Sequence, residues 1–313
     1  MGFPIRLKAL LHRCLASLLF ALAFPFLSIT ETGLAIHEAL TSPGFNPKDE
    51  VCIVTGASSG IGEAIAYKLA AKQAKLVLVA RRKDVLEKVG AKCRSLGASD
   101  VRCHVADVTN EDDVKQFVVE TGSHFGKIDL LILNAGISFG LYARDCTSIE
   151  PYTQVMATNQ NGFVAGIIHA LPYLKKAHKG RVVGVSSLLG LVGGPTRTGY
   201  CASKFAMKGF LDAIRLEEPS LFFTMVYPGV VKTEINRTRV GPKGDLDLND
   251  PNIMMPDEAA DLVLDAVERG TRDQVFTFQG NFMYFFKDVF PRVRDMLVAA
   301  KARKMIKATE KKE

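Results

Sequence analysis

The feature that most constrains the fold is a glycine-rich turn between an apolar run and an alanine-rich stretch. Its sequence is Thr55-Gly56-Ala57-Ser58-Ser59-Gly60-Ile61-Gly62. The apolar residues 51–54 before it are typical of a short buried strand, and residues 63–71 after it favour a helix. Glycine allows tight turns, and the amides of a helix N-terminus attract phosphate. The run therefore predicts a phosphate-binding turn between a strand and a helix.

The glycine spacing leaves two interpretations open. Gly56, Gly60 and Gly62 do not follow the G-x-G-x-x-G pattern of many dinucleotide-binding turns. An ordinary glycine-rich connection between a strand and a helix would have the same appearance. The order of strand, turn and helix is the context in which glycines indicate dinucleotide binding, and it favours that interpretation.

A second apolar run, residues 75–80, ends at three basic residues, Arg81, Arg82 and Lys83. An acidic side chain at this point would bind a ribose 2′-hydroxyl, whereas a basic one accommodates a 2′-phosphate. The first acidic residue after the run is Asp84. The sequence thus predicts NADP(H) rather than NAD(H), with Arg81 as the main phosphate contact and Arg82 as the second. The alternative is that these arginines begin a solvated helix.

Tyr200 and Lys204 are four residues apart, which places two side chains on one face of a helix. A neighbouring ammonium favours the phenolate, so we expect it to lower the pKa of the tyrosine from its usual value of about 10. Ser187 follows an apolar run, residues 181–185, and ligands of open α/β sheets bind at the carboxyl ends of strands. A tyrosine that exchanges a proton with a substrate oxygen, beside a serine that polarises it, indicates an oxidoreductase.

These residues together resemble the short-chain dehydrogenases/reductases, and in particular membrane-bound members of the 11β-hydroxysteroid dehydrogenase type. The resemblance is strong over residues 48–235 and looser beyond them. The matching residues occur in the order of that family: the glycine-rich turn, Asp107-Val108, Asn134-Ala135-Gly136, Asn159, Ser187, Tyr200, Lys204, Pro228-Gly229 and Thr233.

The resemblance implies four catalytic roles. Tyr200 would be the acid/base, and Lys204 would lower its pKa and bind the nicotinamide ribose. Ser187 would orient the substrate oxygen. Asn159 would hold a water molecule that links Lys204 to solvent.

The resemblance also implies the cofactor contacts. Asp107 would contact the adenine, Thr233 the carboxamide, and Asn134 would stabilise the sheet beside the cofactor. The alternative for Asn134, Asn159 and Thr233 is a turn or cap residue without a ligand contact. The other expected cofactor contacts are Gly56, Ser58, Ser59, Gly60, Ile61, Gly62, Arg81, Arg82, Ala135, Gly136, Tyr200, Lys204, Pro228 and Gly229.

Strand and helix patterns alternate along the chain, with further strands expected at residues 101–104, 130–134, 181–186 and 222–226. This alternation predicts one α/β domain, residues 48–313, built on a doubly wound parallel sheet. The resemblance adds that the sheet would be Rossmann-like, with seven strands and helices on both faces.

Residues 1–47 are predicted to be a membrane segment and a linker. Arg6, Lys8 and Arg13 precede an uncharged stretch, residues 14–30, which is the pattern of a signal peptide or signal anchor. No clear cleavage site follows, so we expect a retained single anchor in the endoplasmic reticulum membrane. Cleavage would instead leave a luminal or secreted protein. The positive-inside rule favours a luminal domain, with shallow cytosol-facing insertion as the alternative.

Other features limit the cofactors and partners. The six cysteines lack the paired spacing of a zinc site, so we expect neither a metal nor a disulfide. The net charge of +7 lies partly in the tail and favours a solvated helix, with anionic lipid as the second interpretation. No nucleic-acid motif accompanies it, so we expect no nucleic-acid partner. The family resemblance makes a homodimer possible.

The substrate is predicted from the C-terminal part. The segment after Thr233, up to Pro256, is rich in glycine, aspartate, asparagine and proline, and we expect a flexible lid. An aromatic stretch, residues 276–290, indicates a core, an apolar substrate mouth or a membrane-docking face. With the anchor, these features predict an NADP(H)-dependent reductase of a lipophilic ketone or aldehyde: a steroid, a retinoid, or a sphingoid or fatty carbonyl. The alternatives are alcohol oxidation in a lumen and a non-catalytic NADP-binding membrane scaffold.

Overall fold

The computed structural model describes residues 22–30, 32–33, 37, 44–241, 253–286 and 290–310. The chain divides into two units, Met1–Pro43 and Gly44–Glu313, and the sheet belongs to the second. Residues 22–30 are helical, whereas residues 14–21 of the expected anchor and residues 242–252 of the expected lid lie outside the described residues. Within the described ranges, no helix has both the length and the apolar character needed to cross a membrane.

The second unit is built on a single sheet of seven parallel strands, as predicted. The strand order is β3-β2-β1-β4-β5-β6-β7. The strands are β1 (Val51–Thr55), β2 (Lys75–Ala80), β3 (Asp100–Val105), β4 (Leu130–Leu133), β5 (Arg181–Val185), β6 (Phe222–Tyr227) and β7 (Asp273–Val275).

The connections are helical. The connecting helices are α1 (Gly60–Ala71), α2 (Lys83–Ser95), α3 (Glu111–Phe125), α4 (Glu150–Met156), α5 (Gly162–Leu174), α6 (Thr198–Glu217) and α7 (Pro256–Arg269), and α8 (Phe278–Phe286) and α9 (Pro291–Glu310) follow β7. A π-helical turn, Ala157–Asn161, joins α4 to α5.

The helices cover both faces of the sheet. Successive strand residues point to opposite sides, so alternate residues of one strand pack against different helices. Cys52 and Val54 of β1 pack with α1, α2 and α7 in one buried cluster. Ile53 between them packs with α3, α5 and α6 in the other. Both faces are therefore apolar, which explains why the strands are almost uninterrupted runs of aliphatic residues.

The strand order reverses between β1 and β4. The chain runs outward from β1 to β2 and β3, and then returns to β4 on the other side of β1. Val54 of β1 pairs with Leu78 of β2 and with Ile132 of β4. In open parallel sheets, ligands bind outside the carboxyl ends of the strands at such a reversal. Here that position lies after Thr55 and after Leu133.

Candidate active site

The glycine-rich turn has a backbone that requires glycine at specific positions. Gly56 and Gly60 have φ angles of 66° and 61°, in the left-handed region that disfavours side chains. A Cβ atom on Gly62 would lie 2.5 Å from the carbonyl oxygen of Gly56. Helix α1 begins within this turn, at Gly60, and Ser59 at its N-cap makes no side-chain capping bond. First-turn amides lack intrahelical partners, so this turn suits the pyrophosphate of a dinucleotide.

Asn134 holds the end of β4 against this turn. Its backbone amide donates to Thr55 Oγ1 at 3.0 Å, and its Nδ2 donates to the carbonyl oxygens of Thr55 (3.1 Å) and Gly56 (3.2 Å). Ala135 also donates its amide to Thr55 Oγ1, at 3.2 Å. These bonds join β4 to the turn after β1, which is the sheet-stabilising role that the resemblance implies for Asn134; a contact of Asn134 with a cofactor stays a prediction. Thr55 was given no role of its own in the sequence analysis, although it accepts both amides.

Arg81 and Asp107, two expected cofactor contacts, lie against each other. Arg81 Nη1 is 3.6 Å from Asp107 Oδ2, and Asp107 Oδ1 accepts bonds from the amide and hydroxyl of Thr109. Partial burial acts to raise the pKa of Asp107, but the Thr109 bonds and the Arg81 charge outweigh it, so the pKa is lowered. Arg81 is thus close to a carboxylate that stays ionised.

Arg82 contacts the glycine-rich turn directly. Its Nη2 donates to the carbonyl oxygen of Ser58 at 3.3 Å and lies 3.2 Å from Ser58 Oγ. Its Nη1 is 3.3 Å from Glu234 Oε2. Glu234 follows Thr233, and Thr233 Cγ2 lies 2.9 Å from the position of a Cβ on Gly60. The second arginine, not the first, is therefore the one bonded to the turn.

Ser187, Tyr200 and Lys204 come together at the carboxyl end of β5. Tyr200 and Lys204 lie on α6, and the Lys204 nitrogen is 5.6 Å from the centre of the Tyr200 ring. Lys204 Nζ donates to the carbonyl oxygen of Val185, the last residue of β5, at 2.9 Å. Ser187 caps the short turn Leu188–Gly190, and its hydroxyl is close enough to the Tyr200 phenol to act on the pKa of that group. The predicted trio thus shares one site.

The pKa values in this site are governed by burial. Burial raises the pKa of Tyr200 to about 12, although the Ser187 bond and the positive charge of Arg197 act to lower it. Burial also lowers the pKa of Lys204 to about 7. This differs from the expectation that the ammonium brings the tyrosine below its usual pKa, because burial of the phenol outweighs the interactions that favour its charged form.

Asn159 lies in the π-helical turn and is buried. Its Oδ1 accepts from the amide of Ile137 at 2.8 Å, and its Nδ2 donates to Ile137 O (3.0 Å) and to Ser203 Oγ (2.9 Å). Ser203 in turn donates to the carbonyl oxygen of Tyr200. The Asn159 side chain therefore joins the loop after β4 to α6. Its part in a water relay stays a prediction.

Three further expected residues, Gly136, Pro228 and Gly229, lie near this site. A Cβ on Gly136 would be 3.2 Å from Asn159 Oδ1 and 3.7 Å from Lys204 Nζ. The carbonyl oxygen of Pro228 accepts the amide of Leu188 at 3.0 Å. A Cβ on Gly229 would lie 3.6 Å from the Leu188 side chain. Gly136 thus lies beside Asn159 and Lys204, and residues 228–229 lie beside Leu188, which follows Ser187.

Arg197 is a site residue that the sequence analysis missed. Its Nη1 donates to Ser138 Oγ at 2.8 Å and to the carbonyl oxygen of Phe139 at 2.7 Å, so it holds the loop after β4 beside α6. It is close enough to Tyr200 for its charge to act on the phenol. The available signal was a basic residue three positions before the tyrosine.

Comparison with known proteins agrees with this geometry. A sequence profile of the short chain dehydrogenases matches residues 50–243. The chain belongs to the short-chain dehydrogenase family. Its glycine-rich turn lies at the reversal of strand order, the position where ligands bind in open parallel sheets.

One relative illustrates the similarity in sequence. The 11-beta-hydroxysteroid dehydrogenase-like 2 protein of Arabidopsis thaliana is 41% identical over 191 residues, which are 61% of this chain and 62% of that protein. The matched region thus spans less than two thirds of that relative.

Two solved structures share the fold of this short-chain dehydrogenase. The alcohol dehydrogenase of the archaeon Thermococcus sibiricus, complexed with 5-hydroxy-NADP, is 27% identical, with a TM-score of 0.66 over 73% of this chain and 95% of that one. A short-chain dehydrogenase/reductase of Burkholderia phymatum, in complex with NAD, is 21% identical, with a TM-score of 0.72 over 80% of this chain and 96% of that one. The second comparison concerns the fold alone.

Proposed function

We propose that this short-chain dehydrogenase interconverts a lipophilic ketone or aldehyde and its alcohol, with NADP(H) as the cofactor. The observation that carries the proposal is the position of Tyr200 and Lys204 on one helix, 5.6 Å apart from ring centre to nitrogen, beside Ser187 at the carboxyl end of β5. This arrangement can exchange a proton with a substrate oxygen beside a dinucleotide. When bound, the cofactor supplies or accepts the hydride.

The chain's own residues have distinct proposed roles. Tyr200 donates its phenolic proton to the carbonyl oxygen during reduction and removes it from the alcohol during oxidation. Ser187 donates a hydrogen bond to the same oxygen and orients it. Lys204 supplies positive charge beside the phenol and binds the nicotinamide ribose, while Asn159 takes part in proton supply to Lys204.

The preference for NADP(H) is proposed from the end of β2. Arg81 and Arg82 follow this strand, and Arg82 is bonded to Ser58 of the glycine-rich turn. Guanidinium groups form strong paired hydrogen bonds with phosphate, and a basic residue at this position accommodates the 2′-phosphate of NADP(H). The amides that begin α1 would hold the pyrophosphate, and Asp107 and Thr233 would contact the adenine and carboxamide.

A lipophilic substrate is supported by exposed apolar side chains. Phe278 is 89% exposed, and Phe282, Phe290, Val293 and Leu297 of the same C-terminal region are also exposed. Apolar surface of this kind favours contact with a lipid-like substrate or a membrane. Relatives named 11-beta-hydroxysteroid dehydrogenase-like favour a steroid among the lipophilic candidates.

Membrane association is part of the proposal. The uncharged residues 14–30 with basic residues before them favour an N-terminal anchor in the endoplasmic reticulum, with the catalytic domain in the lumen. Expression of the full chain in cells, followed by alkaline extraction of membranes, tests the anchor. Retention in the membrane pellet supports it, and complete release into the supernatant contradicts it.

The central test is turnover by detergent-solubilised full-length protein. NADPH oxidation is followed at 340 nm with a panel of steroid, retinoid, sphingoid and fatty carbonyl compounds, and the alcohols are assayed with NADP⁺. NADH and NAD⁺ are run in parallel. Turnover of one lipid class with a preference for NADPH supports the proposal. Turnover of small polar carbonyl compounds alone, or binding of NADPH without turnover of any carbonyl, contradicts it.

A further inference from the structure

The ion pair between Arg82 and Glu234 crosses from the end of β2 to the segment after Thr233. Arg82 Nη1 is 3.3 Å from Glu234 Oε2, while Arg82 Nη2 is bonded to Ser58 of the glycine-rich turn. We propose that Glu234 is a specificity-determining residue whose carboxylate competes with the 2′-phosphate of NADP(H) for Arg82. This inference rests on the proposed preference for NADP(H).

Arg82 is suited to bind a second anion. It lies directly after Arg81 at the carboxyl end of β2, and its side chain is 50% exposed. The Ser58 bonds fix one nitrogen of the guanidinium against the turn, and the other nitrogen contacts Glu234. A guanidinium has five donors in a rigid plane, so Arg82 can keep its Ser58 bonds while the acceptor at Nη1 changes.

The Glu234 carboxylate and the 2′-phosphate of NADP(H) repel each other, because both are negatively charged. A 2′-phosphate carries nearly two negative charges at neutral pH, and an ionised carboxylate a few ångströms away repels it. Binding of NADP(H) must therefore displace Glu234 from Arg82 or accept this repulsion. NAD(H) lacks the 2′-phosphate, so it leaves the Arg82–Glu234 pair intact. Glu234 should thus weaken the binding of NADP(H) and leave that of NAD(H) almost unchanged.

The position of Glu234 is fixed by the fold. Glu234 begins the 3₁₀ turn Glu234–Thr238, directly after Thr233, which lies against Gly60. Beyond this turn, the amide of Val240 donates to Ser138 O at 3.0 Å, and Val240 O accepts the Gly140 amide at 2.8 Å. The segment is therefore held at both ends, and its carboxylate is kept beside Arg82.

The experiment measures dissociation constants of NADPH and NADH by calorimetry for the full chain and for Glu234→Gln. The substitution keeps the shape of the side chain and removes its charge. We expect Glu234→Gln to bind NADPH about threefold to tenfold more tightly, from the loss of one part-exposed ion pair and of the repulsion. Binding of NADH should change by less than about twofold.

Glu218→Gln is the matched control. Glu218 also forms a part-exposed ion pair, with Lys175 Nζ at 2.7 Å, but it precedes β6, four strands away from β2 in the sheet. The substitution Glu218→Gln removes the same charge as Glu234→Gln, so a general electrostatic effect on NADPH binding would appear in both variants. Equal tightening of NADPH binding in Glu218→Gln and Glu234→Gln overturns the inference.

A second variant tests whether Glu234 acts through Arg82. In an Arg82→Gln background, Glu234→Gln should change NADPH affinity much less than in the wild type, because the shared partner is gone. The same gain in both backgrounds overturns the inference.

The NADPH and NADH affinities of the wild type distinguish a failure of this inference from a failure of the proposed cofactor preference. If the wild type prefers NADPH and Glu234→Gln leaves the NADPH/NADH ratio unchanged, only the inference fails. If the wild type binds NADH more tightly than NADPH, the proposed cofactor preference fails, and the inference fails with it.

Discussion

The Lys204 nitrogen lies 5.6 Å from the centre of the Tyr200 ring, and both side chains are more than nine-tenths buried. Burial changes the two groups in opposite directions, because it disfavours the charged form of each. The pKa of Lys204 falls to about 7 and that of Tyr200 rises to about 12. Tyr200 therefore keeps its proton well above neutral pH, whereas Lys204 releases its own near neutral pH.

Lys204→Met should alter how stability depends on pH. The folded pKa of about 7 lies below the unfolded value of 10.5, so between these values the unfolded chain binds more protons than the folded one. The destabilisation by Lys204 is complete below pH 7 and is lost as the pH rises toward 10.5. The unfolding free energy of the wild type, measured with urea, should thus increase relative to Lys204→Met from pH 7 to 9.

Lys204→Met also loses the hydrogen bond from Lys204 to the carbonyl oxygen of Val185, which changes its unfolding free energy by the same amount at every pH. The slope with pH of the difference between the wild type and Lys204→Met is therefore unaffected. A difference that stays constant from pH 7 to 9 would show that Lys204 keeps an ordinary pKa in the folded protein.

Tyr200→Phe should remove most turnover and leave cofactor binding nearly unchanged. The ring keeps its packing against Ile137 and Phe139, whereas the hydroxyl that exchanges the proton is lost. General acid–base catalysis contributes about 10²- to 10⁴-fold, so a decrease of this size in kcat is expected. The measurement is steady-state NADPH oxidation with calorimetric NADPH binding.

Tyr173→Phe is the control for that substitution. Tyr173 lies near the end of α5, where its ring packs against Gly122, away from the cleft. Its kcat should match that of the wild type. Full activity of Tyr200→Phe would remove this tyrosine from the proposed mechanism.

Arg197→Gln should move the pH profile of turnover upward. The charge of Arg197 acts to lower the pKa of Tyr200, so its removal raises that pKa further. Alcohol oxidation requires the phenolate, and its rising limb should move to higher pH. Ketone reduction requires the phenol, and its falling limb should move in the same direction. The measurement is kcat/KM against pH in both directions, and an unmoved profile would mean that Arg197 only holds the loop after β4.

Much of the fold could be predicted from the sequence, because a sheet buried on both faces requires long aliphatic runs. The runs identify six of the seven strands. Strand β7, Asp273–Val275, has only three residues, of which two are partly exposed, so it carries no such pattern. The end of β4 was also placed one residue too late, at Asn134, whose bonds go to the turn after β1.

The sequence predicts which residues form the candidate site, but it does not predict the contacts that those residues make. Spacing brings Tyr200 and Lys204 to one helix face, but their pKa values depend on burial that only packing determines. Likewise, Arg82 and Glu234 are 152 residues apart in the chain, and no local pattern relates them. The sequence therefore indicated two arginines without indicating the partner of either.

Arg81→Asp should shift cofactor preference toward NADH. Arg81 lies 3.6 Å from Asp107, so the substitution removes a phosphate partner and places two carboxylates together. The loss of a charge-assisted contact with phosphate should weaken NADPH binding about tenfold or more, while NADH is affected less. Lys88→Asp, on the exposed surface of α2, is the control for the same charge change. Unchanged NADPH/NADH selectivity in kcat/KM would refute a role for Arg81.

Gly62→Ala should weaken both the fold and cofactor binding. Its Cβ would lie 2.5 Å from Asn134 Nδ2 and from the Gly56 carbonyl oxygen, and neither can move without disturbing the turn. We expect a loss of about 1–3 kcal/mol in unfolding free energy, together with weaker binding of either dinucleotide. Gly209→Ala is the control, because Gly209 is exposed on α6 and a Cβ there meets nothing within 4 Å. That change should instead stabilise the helix by about 0.5–1 kcal/mol. Thermal and urea unfolding distinguish the two, and equal stability of both variants would mean that the turn tolerates a side chain at position 62.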